Sequence, residues 1–164
     1  MDRDFEIAHR KEVLVLLLGT NMGDRSQNLT QAILGLNKIL GEPIKQSTIY
    51  ETPPWGYEDQ DAFLNMAVMY STSMKPTILL DTILQLEVDL GRIRQEKWGP
   101  RLIDIDIIFY GDMIYQSDFL EIPHPYMHER KFVLEPLNEI APQYEHPLLG
   151  QSVSQLYQAI NANE

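Results

Sequence analysis

Only two of the gaps between the apolar strands of this chain are long enough for a crossover, and a helical pattern fills both. Glu12 to Leu18 reads as a buried strand, followed by a polar turn from Gly19 to Asp24. Leu29, Ile33, Leu36 and Leu40 then recur at helical spacing from about Asp24, with Gly41 as a stop and Pro43 beyond it. Ser47 to Thr52 reads as a second strand, and Pro53-Pro54-Trp55-Gly56 is a rigid turn opening a polar loop to Asp61. Phe63 to Thr72 alternates, with Phe63, Asn65, Ala67 and Met69 on one face and Leu64, Met66, Val68 and Tyr70 on the other. Pro76 suits the first turn of a helix whose core face is Ile78, Leu79, Ile83, Leu86 and Leu90, with Gly91 ending it. Leu102 to Phe109 supplies the last strand of the set.

The order is βαββαβ, and the other gaps are too short for parallel crossovers. It predicts an α+β fold: a ferredoxin-like antiparallel sheet with both helices on one face. Extra elements follow at the C-terminus: an extended Ile122-Pro123-His124-Pro125 segment and short helices at Phe132–Ile140 and Ser152–Ile160. The other face of the sheet is expected to be free to hold a ligand. At 164 residues, positions 1–164 are read as a single domain, with residues 1–11 as a charged N-terminal extension.

A net charge of -11 argues against a nucleic-acid or anionic-membrane partner. The longest apolar run, Val13 to Leu18, is far too short to span a bilayer, and Met1 to Glu12 lacks the apolar centre of a signal peptide. The chain has no cysteine, which fits a reducing compartment, and a cytoplasmic location is the expectation. A monomer is compatible with these features. The positive charge is concentrated: Arg92, Arg94, Lys97, Arg101, Arg130 and Lys131 lie in two short segments of an otherwise acidic chain.

One of those segments leads into two carboxylates. Asp104 and Asp106 share a strand face, with Cα atoms roughly 6.5 Å apart, while Ile103, Ile105 and Ile107 fill the other. Two carboxylates at that spacing repel unless a cation is near. Beside Arg92, Arg94 and Arg101, a metal-bound polyphosphate is the natural guest: Mg²⁺ takes one or two carboxylates plus phosphate oxygens, and arginine forks take the rest. A solvated strand face, or plain ion pairs between these arginines and aspartates, are the bland alternatives. Arg92 can also complement a helix end, whereas Arg94 and Arg101 lie in a segment with Gly91, Gly99 and Pro100 that suggests a closing lid.

His124 stands between two prolines that fix its backbone, so its ring can donate to a phosphate oxygen, with Arg130 six residues on. Phe63 and Asn65 on one strand face, with Phe132, suit a flat heteroaromatic ligand: rings to stack on and an amide for its edge. Core phenylalanines with a surface asparagine are the competing account, and Trp98 has the same ambiguity. No P-loop, Rossmann glycine fingerprint, protein-kinase signature or Gly-x-Ser-x-Gly is present.

Together these segments resemble the 6-hydroxymethyl-7,8-dihydropterin pyrophosphokinase family of folate synthesis, over about residues 13–150. The resemblance runs through Leu18-Gly19-Thr20-Asn21, Tyr50-Glu51-Thr52-Pro53-Pro54, Phe63-Leu64-Asn65, Glu87 to Arg94, Trp98-Gly99-Pro100-Arg101, Asp104-Ile105-Asp106, Pro123-His124-Pro125, Arg130 and Phe132-Val133-Leu134. It implies transfer of diphosphate from ATP to the pterin hydroxymethyl group with release of AMP. It implies two Mg²⁺ ions held by Asp104 and Asp106, and ATP as co-substrate. By the same match Phe63 and Phe132 sandwich the pterin, while Asn65 and the backbone around Thr52, Pro53 and Trp55 read its edge. Glu87, Arg92, Arg94, Trp98, Arg101, His124 and Arg130 match positions that handle ATP or the closing loop. Phe63 replaces a tyrosine, and Leu84 a glutamine, of some members.

In the mechanism this implies, Arg94 and Arg101 neutralise charge on the transferred group, and Asp106 is also a candidate acceptor of the hydroxyl proton. Two rival classes are a Mg²⁺-dependent phosphohydrolase acting with water and a non-catalytic ferredoxin-like ligand sensor.

Overall fold

β1 (Glu12–Thr20) is apolar on both faces and buried from Leu14 onward, so it takes the centre of the sheet. The structure, a computed structural model, describes residues 10–53, 61–91 and 102–163. β4 (Phe63–Thr72) lies antiparallel on one side of β1 and β5 (Asp104–Tyr110) antiparallel on the other. β2 (Lys45–Gln46) and β3 (Tyr50–Thr52) both pair with β4 at the outer edge. β5 forms the opposite edge. The α+β, ferredoxin-like antiparallel sheet is the one the element order predicts.

The crossover helices are α1 (Arg25–Leu40) and α2 (Pro76–Asp89). Asp24 caps α1, its carboxylate accepting the Gln27 amide at 3.1 Å. Gly41 closes it with φ +86°, a conformation other residues rarely adopt. Leu29, Ala32 and Leu36 of α1 and Leu79, Ile83 and Leu86 of α2 pack on one face of the sheet, against Leu14, Leu16, Leu18, Met66, Val68 and Ile105.

A small hairpin follows, β6 (Tyr115–Gln116) with β7 (Glu121–Ile122), then a 3-10 turn at Met127–Glu129, α3 (Lys131–Ile140) and α4 (Val153–Ala162). The free second face expected from the sequence is corrected here. Val15, Leu17, Ala67, Met69 and Phe109 point to that face and are covered by Val133, Leu134, Leu137 and Ile140 of α3 with Val153 and Leu156 of α4. An alternating strand with apolar residues on both sides needs cover on both, and the C-terminal helices supply it. At the end of that face, Gly19, Asn65 and Asp104 follow the row of Leu17 and Ala67 and are not part of the apolar cluster.

Two local departures have clear causes. The strand expected over Ser47–Thr52 is interrupted at residues 47–49. Ser47 turns its hydroxyl inward, where Oγ accepts from the Ala67 amide at 2.9 Å and donates to the Thr48 carbonyl at 2.7 Å, so a side chain takes a place in the ladder. In β5 the register shifts so that Val15 opposes Phe109 and Leu16 opposes Ile107. That bulge lets Ile108 and Phe109 both enter the second core while Ile107 and Tyr110 serve the first. No helix among the described residues is long and apolar enough to cross a membrane.

Candidate functional site

The register of the three long strands sets Asn65, Gly19 and Asp104 in one row across the sheet. Direct partners in adjacent strands point to the same side, so all three share the second face of the sheet, one row beyond Leu17. Asn65 and Asp104 flank Gly19 at a span of roughly 10 Å, two strand spacings. Gly19 leaves the floor between them without a side chain: a Cβ there would stand 3.1 Å from Asn65 Oδ1. In the next row inward, Leu17 opposes both Ala67 and Asp106. Leu17 is buried, whereas Asp106, on the edge strand, is exposed, and Asp104 is half-buried.

β3 brings the outer wall. Thr52 opposes Phe63 and Tyr50 opposes Asn65. Asn65 is buried to 3% exposure, and its Nδ2 donates to Thr52 Oγ1 at 2.9 Å, which fixes the amide and the end of β3 together. Phe63 is half-buried at the start of β4, and Pro53 is exposed just past β3. Phe132 opens α3, half-buried against the second core, and the Arg130 guanidinium lies 5.9 Å from its ring and 5.5 Å from that of Tyr126.

The edge of β5 borders a cleft of about 390 Å³ lined by Asp104, Asp106, Leu84, Glu87, His124 and the turn of the β6–β7 hairpin. Glu87 is 2% exposed and accepts the Ile105 amide at 2.7 Å, at the residue between the two aspartates. The backbone amide of His124 donates to the Ile108 carbonyl at 3.0 Å, which ties the proline-flanked segment to β5. Burial holds the His124 imidazole below the ordinary histidine range, and the nearby Arg130 charge adds to it against an opposing pull from Glu121. The ring is therefore neutral near pH 7. Its Nδ1 accepts from the Tyr126 amide at 3.4 Å, which leaves Nε2–H as the donor.

Residues that sequence reasoning had not singled out as site residues hold these parts in place. Thr20 Oγ1 donates to the Leu102 carbonyl, Asn21 Nδ2 to the Asp61 carbonyl at 3.1 Å and Arg25 to the Ala62 carbonyl at 2.8 Å. Asn28 Nδ2 lies 3.1 Å from Thr20 Oγ1 and 2.7 Å from the Met22 carbonyl. The turn after β1 thus grips the chain where it enters β4 and where it enters β5. Its short polar side chains beside two glycines were the available signal.

The structure brings Thr52, Phe63, Asn65, Asp104 and Asp106 to one end of the sheet, with Glu87 and His124 on the adjoining cleft. Trp55, Arg92, Arg94, Trp98 and Arg101 lie outside the described residues. Among the described residues no group of three or more His, Cys, Asp and Glu side chains is assembled for a metal. Two carboxylates on one strand face do not suit an ion enclosed wholly by protein. They do suit Mg²⁺, which keeps most of its shell for phosphate oxygens and water.

The sequence profile of the family described as 7,8-dihydro-6-hydroxymethylpterin-pyrophosphokinase (HPPK) matches residues 15–142. The chain is 46% identical over 134 residues to the 2-amino-4-hydroxy-6-hydroxymethyldihydropteridine pyrophosphokinase of Bacillus subtilis, covering 81% of this chain and 80% of that one. It is 47% identical over 139 residues to the folic acid synthesis protein FOL1 of Dictyostelium discoideum. That match takes in 84% of this chain but only 21% of the much longer relative. Among solved structures, the HPPK-DHPS of Plasmodium falciparum with pteroate superposes with a TM-score of 0.74 at 20% identity, over 94% of this chain and 43% of that one. At that identity the superposition shows the fold alone. The matched profile and the Bacillus relative cover most of the chain, and the chain belongs to the 7,8-dihydro-6-hydroxymethylpterin-pyrophosphokinase family.

Proposed function

We propose that this chain transfers diphosphate from ATP to the hydroxymethyl group of 6-hydroxymethyl-7,8-dihydropterin in folate synthesis, releasing AMP. The observation that carries the reading is the row Asn65–Gly19–Asp104. The Asn65 amide, with Phe63 on the same strand face, stands on one side of a bare glycine and the carboxylates of β5 on the other, which supports a site that joins a flat heterocycle to a polyphosphate.

In this reading the pterin ring lies between Phe63 and Phe132, with Asn65 and the backbone at Thr52, Pro53 and Trp55 along its polar edge. Asp104 and Asp106 hold two Mg²⁺ ions together with the phosphates. Bound Mg²⁺ neutralises phosphate charge and favours displacement at phosphorus. His124, neutral with Nε2–H free to donate, holds a phosphate oxygen, and Arg130 adds positive charge beside it. Glu87 fixes the strand edge next to the nucleotide. Arg92, Arg94, Trp98 and Arg101 belong to the nucleotide side and to closure, with Arg94 and Arg101 spreading charge over the moving group.

The hydroxyl oxygen bonds to the β-phosphorus as the bond from that phosphorus to the α,β-bridging oxygen breaks, and AMP leaves with the electron pair. The hydroxyl proton passes to Asp106. Such transfers depend on positioning and charge rather than on covalent help from the protein. A monomer in the cytoplasm completes the proposal, and the cysteine-free composition suits a reducing compartment.

The test is product analysis with ATP and Mg²⁺, with and without the pterin alcohol. AMP formed only with the alcohol supports the reading. Phosphate released from ATP alone, at the same rate either way, assigns the aspartates to a hydrolase instead.

A further inference from the structure

Residues 47–49 leave β3 without a continuous ladder on its upstream side, because Ser47 has turned its hydroxyl into the sheet. The Thr48 amide takes a partner from another element. It lies 3.1 Å from each carboxylate oxygen of Glu139, in the last turn of α3. Thr48 Oγ1 and the Tyr50 hydroxyl each donate to Glu139 Oε1 at 2.7 Å. One carboxylate thus gathers three donors from two residues, Thr48 just before β3 and Tyr50 at its start. Hydrogen bonds to an ionised acceptor are the stronger kind.

The far end of β3 is a wall of the site. Tyr50 opposes Asn65 in the ladder, and Thr52 Oγ1 accepts from the Asn65 amide. Phe132 stands seven residues before Glu139 on the same helix, a spacing that returns to the same face after about 10 Å. A single helix therefore carries one proposed ring wall near its start and, near its end, the grip on the opposite wall.

We infer that Glu139 is a positioning residue for the pterin slot: by holding Thr48 and Tyr50 it sets where Thr52 and Asn65 stand relative to Phe132. The inference rests on the pterin reading of that slot. Glu139 is exposed and no part of either core, so its removal acts on the place of β3 rather than on the fold.

The test is steady-state kinetics of the full chain, wild type against Glu139→Ala, Glu139→Gln and Tyr50→Phe, with both substrates varied and melting temperature measured alongside. Glu139→Ala raises KM for the pterin alcohol about tenfold and Tyr50→Phe about threefold, with KM for ATP and kcat within about twofold of wild type. Glu139→Gln, whose amide oxygen still accepts, recovers most of the loss. Should Glu139→Ala not fold, the other two variants carry the comparison. An unchanged pterin KM in the variants overturns the inference, as does a rise shared equally by both substrates with a lowered melting temperature. A wild type that makes no AMP from the pterin alcohol overturns the activity itself, and the inference with it.

Discussion

The Glu87 carboxylate accepts the amide of Ile105 at 2.7 Å, so a buried acidic side chain on α2 closes the free edge of the strand that carries Asp104 and Asp106. An edge strand otherwise leaves every second amide to water. Here the amide between the two candidate metal ligands is tied to a helix, which fixes the height and angle at which both carboxylates leave the sheet.

Glu87→Ala removes that acceptor and leaves a buried amide unpaired. Stability is expected to fall by about 1–3 kcal/mol, read as a lowered denaturant midpoint with an unchanged slope. Glu87→Gln, which keeps an oxygen at the same place, falls by less. Equal midpoints for wild type and Glu87→Ala would show that the bond does not hold the edge.

Gly19 lies between Asn65 and Asp104, the proposed pterin and phosphate sides. An added Cβ stands 3.1 Å from Asn65 Oδ1, and the Asn65 amide is the group bonded to Thr52. Gly19→Val is expected to weaken pterin binding about tenfold or more while changing ATP binding much less. Calorimetric titration of each ligand separates the two, and equal losses for both would contradict a floor that serves the ring.

Stability is expected to decline in mild acid. Burial first, then Arg130 beside His124 and His128 beside His146, hold both imidazoles below their ordinary value of 6.5. The unfolded chain therefore binds protons before the folded one as pH drops past that value, and the native state loses ground. His146, with Nδ1 accepting the Leu148 and Leu149 amides at 3.2 Å, is held in the neutral form. Melting temperature should fall as pH drops through the ordinary histidine value of 6.5 and level off below the folded pKa values. His146→Gln should flatten part of that slope, whatever its effect on absolute stability. A melting temperature that rises as pH drops through that value would reverse the assignment.

Much of the frame is legible in the residues themselves. Asp24, Gly41 and Pro76 mark helix ends, and the alternation from Phe63 to Thr72 assigns each side chain to its face. These signals are local, set by backbone preference and period. The interruption at Ser47 is not legible, because it depends on an amide twenty residues away at Ala67. The packing of α3 on Leu17 and Ala67 is hidden for the same reason: an amphipathic helix shows that it has an apolar face, not which surface receives it. Of the candidate site, Asp104, Asp106, Phe63 and Asn65 follow from strand period. The grip of Thr20, Asn21 and Arg25 on the entries to β4 and β5 appears only once the turn is closed.

The most direct measurement is AMP release from ATP, Mg²⁺ and the pterin alcohol by wild type and by the Asp104→Ala, Asp106→Ala double variant, with melting curves showing that both are folded. AMP and pterin diphosphate should form in equal amounts with the wild type, and the double variant should lose on the order of 10³-fold or more in rate. Wild-type rates in a folded double variant would contradict the account at its centre.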